Sequence, residues 1–202
     1  LLQEVQHRVA NSLQIIASIL MLKARKVTSE ESRGHLRDAH QRVLSVAEVQ
    51  SHLHATGGVD LIAVGSYLTK LCASLSSSMI GESRPIAIVA EADDGRIGSD
   101  RAVSLGLIVT ELVINSIKYA FPDDRTDARV VVRYVSDGTD WTLTVADNGV
   151  GVSSPVATIS GGGLGTAIVE ALVRQLGAQQ AVSTGPGRTV TIRHITEVLV
   201  PA

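Results

Sequence analysis

Residues 102–117 read AVSLGLIVTELVINSI, apolar on nearly every side of a helical wheel. A helix with that pattern has to be buried. It is too short to span a bilayer, which takes about 20 apolar residues, and it carries Glu111 and Asn115. The chain must therefore wrap other elements around this segment. One narrow stripe breaks the apolar surface: Ser104, Glu111, Asn115 and Lys118 fall within roughly 60° of one another. Buried polar groups need partners. Two arrangements meet that need. One is an internal ion pair between Glu111 and Lys118, with Asn115 hydrogen-bonded locally. The other is a line of groups facing a cleft with a charged ligand and a metal, because an amide oxygen and a carboxylate suit Mg²⁺ and a lysine suits phosphate.

The rest of the chain divides in texture near Gly57-Gly58. Residues 1–27 contain no Gly or Pro. Leu2, Val5, Val9, Leu13, Ile16 and Leu20 recur at helical spacing and form an expected seam. Ser29 is placed to cap a second helix, with Glu30 and Glu31 in its first turn. That helix runs to about residue 55, with Leu36, Ala39, Val43, Val46 and Leu53 on its apolar side and Gln50 interrupting them. The two helices form a hairpin, residues 1–56, too small to bury both stripes alone. It either pairs with a second copy as a four-helix bundle or packs on the rest of the chain.

Residues 57–202 alternate between helices and strands. Helices are expected at 61–77, from Ser99 or Asp100 to just before Pro122, and at 164–176. Strands are expected at 85–91, 129–136, 141–146, 181–184 and 188–195, with hairpins around Asp137-Gly138-Thr139 and Gly185-Pro186-Gly187. Helices and hairpins sharing one sheet make this an α+β sandwich.

Composition removes several classes of function. The only aromatics are Tyr67, Tyr119, Phe121, Tyr134 and Trp141, too few for the stacking platforms of single-strand nucleic-acid binders. A net charge of −2 offers no broad attraction for nucleic acid or an anionic membrane. The single cysteine, Cys72, excludes an intramolecular disulfide and a cysteine zinc cluster, and fits a reducing, cytoplasmic setting. His52 and His54 lack a third metal ligand at suitable spacing. The first residues lack a signal-peptide pattern, and no transmembrane segment is expected. The opening Leu1 fits a piece of something longer.

Two further features carry chemistry. On the first helix, His7 falls roughly 160° from the centre of the expected seam, on a polar strip with Glu4, Asn11, Gln14 and Ser18. An accessible neutral imidazole is a nucleophile suited to phosphoryl transfer. Most exposed histidines are passive, however, and His7 alone decides nothing. Later, Asp147-Asn148-Gly149-Val150-Gly151 follows a strand, and Gly161-Gly162-Gly163-Leu164-Gly165 opens a helix. Glycines permit close backbone approach, and a helix N-terminus favours phosphate. Neither run is a Rossmann fingerprint or a Walker loop.

Taken in order, these segments resemble the ATP-binding (Bergerat-type) domain of the gyrase, heat-shock chaperone, histidine kinase and MutL superfamily. ELVINSIKYAF at 111–121 resembles its N box, residues 147–151 its first glycine box and residues 161–165 its second. His7-Arg8-Val9-Ala10-Asn11, followed by Leu13-Gln14-Ile15-Ile16, resembles the phosphoacceptor box of sensor histidine kinases of the His-Arg-x-x-Asn subtype. The resemblance implies a histidine kinase core that uses ATP and Mg²⁺. His7 would receive the γ-phosphoryl group and pass it to an aspartate on a response regulator receiver domain. Asn115, with Glu111 through water, would hold Mg²⁺, and Lys118 would contact phosphates. Asp147 would bind the adenine amino group, and Tyr119 and Thr189 would border the nucleotide. Gly149, Gly151, Gly163, Leu164 and Gly165 would frame a short lid. Asn11 would position a water for dephosphorylation. A homodimer is implied, although relatives of this subtype include monomers.

The departures from the family pattern are specific. Arg8 stands where ordinary histidine kinases carry an acidic base, leaving Glu4, one turn earlier, as a geometric substitute. Ala10 replaces a lysine common in the subtype, and Gln50 and His54 stand where the second helix often has His and Tyr. Two other functions share parts of this pattern. A phosphotransfer protein that no longer uses ATP would not need the intact Asn115, Asp147 and glycines. An anti-sigma-type serine kinase or partner-switch protein would not need the hairpin.

Overall fold

Two long helices open the chain, α1 over Leu2–Lys26 and α2 over Glu30–Ala55. A computed structural model describes residues 2–55, 61–80, 85–122, 125–151 and 164–196, with the backbone alone at 2–8, 48–55 and 164. The turn between α1 and α2 is set as the sequence predicts. Ser29 Oγ accepts a hydrogen bond from the Ser32 amide at 3.3 Å, and Glu30 and Glu31 occupy the positive end of α2. His40 Nδ1 lies 2.8 Å from the Ala17 carbonyl oxygen and joins the two helices.

The expected α1 seam holds only in part: Leu13 and Leu20 stay on it, Val9 and Ile16 do not, and the side chains of Leu2 and Val5 lie outside the described residues. Among the described residues, Ala10, Ala17 and Ala24, seven residues apart, are the buried ones, with Leu13 and Leu20 part-buried beside them. Val9 and Ile16, expected inside, are exposed. Small alanines let the two helix backbones approach, and that closeness outweighs the larger side chains in choosing the seam. Ile15, Ile19 and Leu22 form an apolar stripe left open to solvent.

From residue 61 onward the elements are β1 (Leu61–Ala63), α3 (Val64–Met79), β2 (Ala87–Ala92), β3 (Arg96–Gly98), α4 (Ser99–Tyr119), β4 (Arg129–Asp137), β5 (Asp140–Asp147), α5 (Leu164–Gln175), β6 (Gln179–Gly185) and β7 (Gly187–His194). Residues 61–63 are a strand rather than the start of a helix. They pair antiparallel with β3, which has no counterpart among the expected elements. Three-residue strands are too short to show a period, and only the pairing of Ile62 with Ile97 reveals them.

The main sheet has the order β2-β4-β5-β7-β6. β2 and β4 run parallel and the other neighbours antiparallel. Alternate residues turn inward: Val130, Val132 and Tyr134 on β4, Trp141, Leu143 and Val145 on β5, Val190 and Ile192 on β7. Helices α3, α4 and α5 pack against this sheet and make a two-layer α+β sandwich. α4 lies at its centre, flanked by α3 and α5 and contacting β4 and β5. By length and composition α4 would also pass as a membrane span, but 72% of that window is buried inside the fold. Burial in the sandwich accounts for its apolar surface.

The hairpin does not stand apart from this sandwich. α2 packs on α1 with one side and on α4 with another.

Cys72 tests the burial of α3. Desolvation pushes its thiol up to about 12. The folded state therefore holds the proton more tightly than the unfolded chain. That contribution to stability is complete below the ordinary value of 9.0 and is lost as pH rises toward about 12. At pH 8 a thiol reagent such as DTNB should label Cys72 only when urea unfolds the protein. Rapid stoichiometric labelling without denaturant would contradict the packing of α3.

Candidate functional site

The polar stripe of α4 finds its partners across the hairpin. Glu111 is 1% exposed, and both of its oxygens are taken by the Arg42 guanidinium. Arg42 Nε donates to Glu111 Oε1, and Nη2 donates to Oε2 at 2.9 Å. These bonds to Glu111 outweigh the cost of partial burial and hold the Arg42 guanidinium above its ordinary value. Lys118 Nζ donates to Asp38 Oδ2 at 2.5 Å. The pair between Glu111 and Lys118 is therefore not formed. Those two residues lie almost two helical turns apart, roughly 10 Å along the axis, whereas α2 presents an opposite charge directly to each. Asn115, between them, is half-buried and makes no side-chain hydrogen bond among the described residues. Ser104 is separate from this group; its hydroxyl donates to the Asp100 carbonyl oxygen.

The other half of the site forms where β5 ends. Asp147 Oδ1 accepts the backbone N–H groups of Gly149 at 3.0 Å and Arg188 at 3.2 Å. Asp147 Oδ2 accepts the Ser116 hydroxyl at 3.0 Å. A carboxylate has about four acceptor positions, so one remains on Oδ2 for a further donor. Ser116 is the residue that sequence reasoning missed. The available signal was a hydroxyl in an otherwise apolar helix, directly after Asn115. Its bond ties α4 to the loop and holds the carboxylate plane.

The glycine loop rests on the end of α4. The Val150 amide donates to the Ala120 carbonyl oxygen at 2.9 Å. A Cβ on Gly149 would run into that same oxygen and would stand 2.6 Å from the Ala120 Cβ. Gly165, in the first turn of α5, lies against Glu111 Oε2 with no room for a side chain. Gly151 closes the described part of the loop. Gly163, with the rest of 152–163, lies outside the described residues, and Leu164 opens α5 with its backbone alone described. Thr189 is half-buried on β7, opposite Ala146 and next to Arg188, whose amide holds Asp147. Tyr119 is 75% exposed beyond the stripe, and Phe121 is buried.

The structure thus brings Glu111, Asn115, Lys118, Asp147, Gly149 and Gly165 to one region. It places His7, Glu4 and Asn11 on a different element, α1, which packs on α2. Asn11 is exposed. The orientations of the His7 and Glu4 side chains, and those of Gln50, His52 and His54, lie outside the described residues.

Among the described residues, no group of three or more His, Cys, Asp or Glu stands ready for a metal ion. A site for Mg²⁺ does not require one, because that ion is held by one or two protein oxygens together with phosphates and water. The free amide of half-buried Asn115 fits that pattern. Glu111 fits it only without Arg42 on its oxygens.

Known proteins similar to this chain share a family. A family described as "Histidine kinase" matches residues 4–79, and one described as "Histidine kinase-, DNA gyrase B-, and HSP90-like ATPase" matches residues 100–198. The chain is 31% identical over 172 residues to the sensor histidine kinase PdtaS of Mycobacterium tuberculosis, covering 85% of this chain and 34% of that protein. It is 28% identical over 193 residues to blue-light-activated histidine kinase 2 of Erythrobacter litoralis, covering 94% of this chain and 55% of that protein. The chain therefore spans about a third to a half of these relatives. Among solved structures, the histidine kinase domain of an Erythrobacter litoralis blue-light activated histidine kinase superposes with a TM-score of 0.70 at 28% identity, covering 94% of this chain and 88% of that one.

The seat of the loop on α4 can be tested by adding one methyl group. Gly149→Ala meets backbone rather than a yielding side chain and should lower the unfolding free energy by about 1–3 kcal/mol. Ser116→Ala should also destabilise, by about 1 kcal/mol, through loss of one hydrogen bond. Urea unfolding measures both. An unshifted midpoint for Gly149→Ala would mean that the loop does not rest on Ala120.

Proposed function

The chain belongs to the histidine kinase family, with a phosphoacceptor hairpin and an ATPase-type domain in one sensor histidine kinase core, and on that premise we propose that it phosphorylates His7 from ATP and passes the phosphoryl group to an aspartate of a response regulator receiver domain. The observation that carries this reading is the meeting of Asn115, Glu111 and Lys118 on α4 with Asp147 at the end of β5, joined by the Ser116 hydrogen bond. That junction offers a carboxylate for an amine at one end and an amide oxygen and an ammonium for phosphates at the other.

In this reading residues 1–56 form the dimerisation and phosphotransfer hairpin, and residues 57–202 the catalytic domain. The open acceptor position on Asp147 Oδ2 takes the adenine amino group. Lys118 binds phosphate oxygens. Thr189 and Tyr119 border the nucleotide, and Gly149, Gly151, Gly163, Leu164 and Gly165 let the backbone close over it. Asn115, with Glu111 behind it, is the site for Mg²⁺, which when bound neutralises charge on the transferring phosphoryl group. An imidazole nitrogen of His7 attacks the γ-phosphorus in line, the bond to the β-phosphate oxygen breaks, and ADP leaves. The imidazole proton passes to a carboxylate. Glu4, one helical turn before His7, is the residue spaced for that role. Asn11, one turn after His7, orients a water for dephosphorylation.

The exposed stripe Ile15, Ile19 and Leu22 supports a homodimer, since an apolar helix face of this kind is stabilised by a second hairpin. The use of ATP and the unpaired, buried Cys72 support a cytoplasmic setting.

Labelling with γ-phosphate-labelled ATP tests the central claim. Wild type should acquire acid-labile, base-stable label, and His7→Ala, Asn115→Ala and Asp147→Asn should each lose it. Label of that stability on His7→Ala would remove the histidine assignment. For assembly, light scattering should find a dimer, and Ile15→Lys with Ile19→Lys should convert it to monomer. A wild-type monomer would overturn that part.

A further inference from the structure

We propose that α2 is a releasable latch on the catalytic domain, in which Asp38 and Arg42 occupy the two charged groups of α4 that nucleotide and Mg²⁺ need, so that hairpin docking and Mg-ATP binding oppose each other. The proposal rests on the function assigned above. It begins from the burial pattern of α2. Among the described residues of α2, those buried most deeply are Asp38, Gln41, Ser45 and Ala47, while Leu36, Ala39, Val43 and Val46 of its expected apolar side are only part-buried, and the Leu53 side chain lies outside the described residues. A helix gains nothing from burying Asp, Gln and Ser against an apolar surface. Asp38 is explained by what it faces, the Lys118 ammonium, while Ser45 turns back to the Arg42 carbonyl oxygen of its own helix.

Asp38 and Arg42 are four residues apart, one above the other on α2. They meet Lys118 and Glu111 in reversed order along α4, so the two helices run antiparallel at this contact. An acid and a base on one helix face a base and an acid on the other. Reversing or sliding the register would bring like charges together, so the pairs define one docked position. The guanidinium fork takes both oxygens of Glu111, and Asp38 takes the Lys118 ammonium. While docked, both oxygens of Glu111 are taken, and the part-exposed Lys118 ammonium gives one of its three donors and its charge to Asp38.

Two observations mark the contact as one that opens. It is ionic and polar, as reversible interfaces between domains are, rather than apolar like an obligate core. It is also incompletely satisfied: Asp38 Oδ1 is buried with no hydrogen-bond partner among the described residues. An orphaned carboxylate oxygen opposes docking and favours release into water. By linkage, whatever favours docking weakens Mg-ATP binding, and bound Mg-ATP loosens the hairpin by the same factor.

The test uses the whole chain with Asp38→Asn, Arg42→Gln and the double variant. These residues lie outside the nucleotide site; Asp38→Asn is isosteric, Arg42→Gln shortens the side chain and removes the positive charge held against Glu111, and urea unfolding checks that each variant is folded. Calorimetric titration with Mg-ATP should show tighter binding in the double variant, on the order of tenfold, with faster labelling of His7. Unchanged or weaker binding by folded variants would overturn the latch. Hydrogen exchange on wild type is independent of any variant's folding. Adding Mg²⁺ with a non-hydrolysable ATP analogue should speed amide exchange at residues 36–47, and slower or unaltered exchange there would overturn it. If wild type binds nucleotide and labels His7 while both readouts fail, only the latch falls. If neither wild type nor the variants bind nucleotide, the latch and the kinase reading fall together.

Discussion

The structure depends on the burial of α4. Thirteen of its residues are buried, including Ser104, Thr110, Glu111 and Ser116, and each polar group among them has to be satisfied inside the protein. The near ones are settled locally: Thr110 donates to the Gly106 carbonyl oxygen and Ser104 to that of Asp100. The others reach outward. Ser116 holds Asp147 on the sheet side and Glu111 holds Arg42 on the hairpin side, where Lys118, outside the buried set, holds Asp38. The sandwich, the glycine loop and the hairpin are thus all tied to one helix through its few polar residues.

In the proposed reading, that arrangement places chemistry and architecture on the same atoms. A carboxylate buried to 1% is stable only while a charged partner sits on it. Arg42 is that partner here, and a metal ion with water would be another. A group with two competing partners is a natural pivot between two states. The Asp147 end behaves differently. Its carboxylate is fixed by two backbone amides and one hydroxyl, none of which has to leave when a ligand arrives. One end of the site is preorganised, and the other is held by the hairpin.

Much of this was legible beforehand. The long helices, the hairpin cap at Ser29 and the sheet strands followed from periodicity and turn chemistry, because each is set by neighbours in the chain. The stripe of Glu111, Asn115 and Lys118 followed from helical geometry. What misled was choice among similar surfaces. Val9 and Ile16 looked like seam residues by hydrophobicity, yet the alanines at 10, 17 and 24 were chosen because they allow the backbones to approach. The pairing of β1 with β3 was invisible because three residues carry no period.

By itself, the amino-acid sequence determined that a buried helix must carry a polar stripe, that an aspartate and glycines follow it, and that a histidine helix precedes it. Those are local properties, set by spacing along one chain segment. Only the tertiary structure decided who satisfies the stripe. Asp38 and Arg42 read as ordinary charged residues of a surface helix, and nothing in their spacing names a partner seventy or eighty residues away. Their role exists because the packing of α2 on α4 brings opposite charges together at a part-buried contact, and an ion pair of that kind is a property of the fold rather than of either segment.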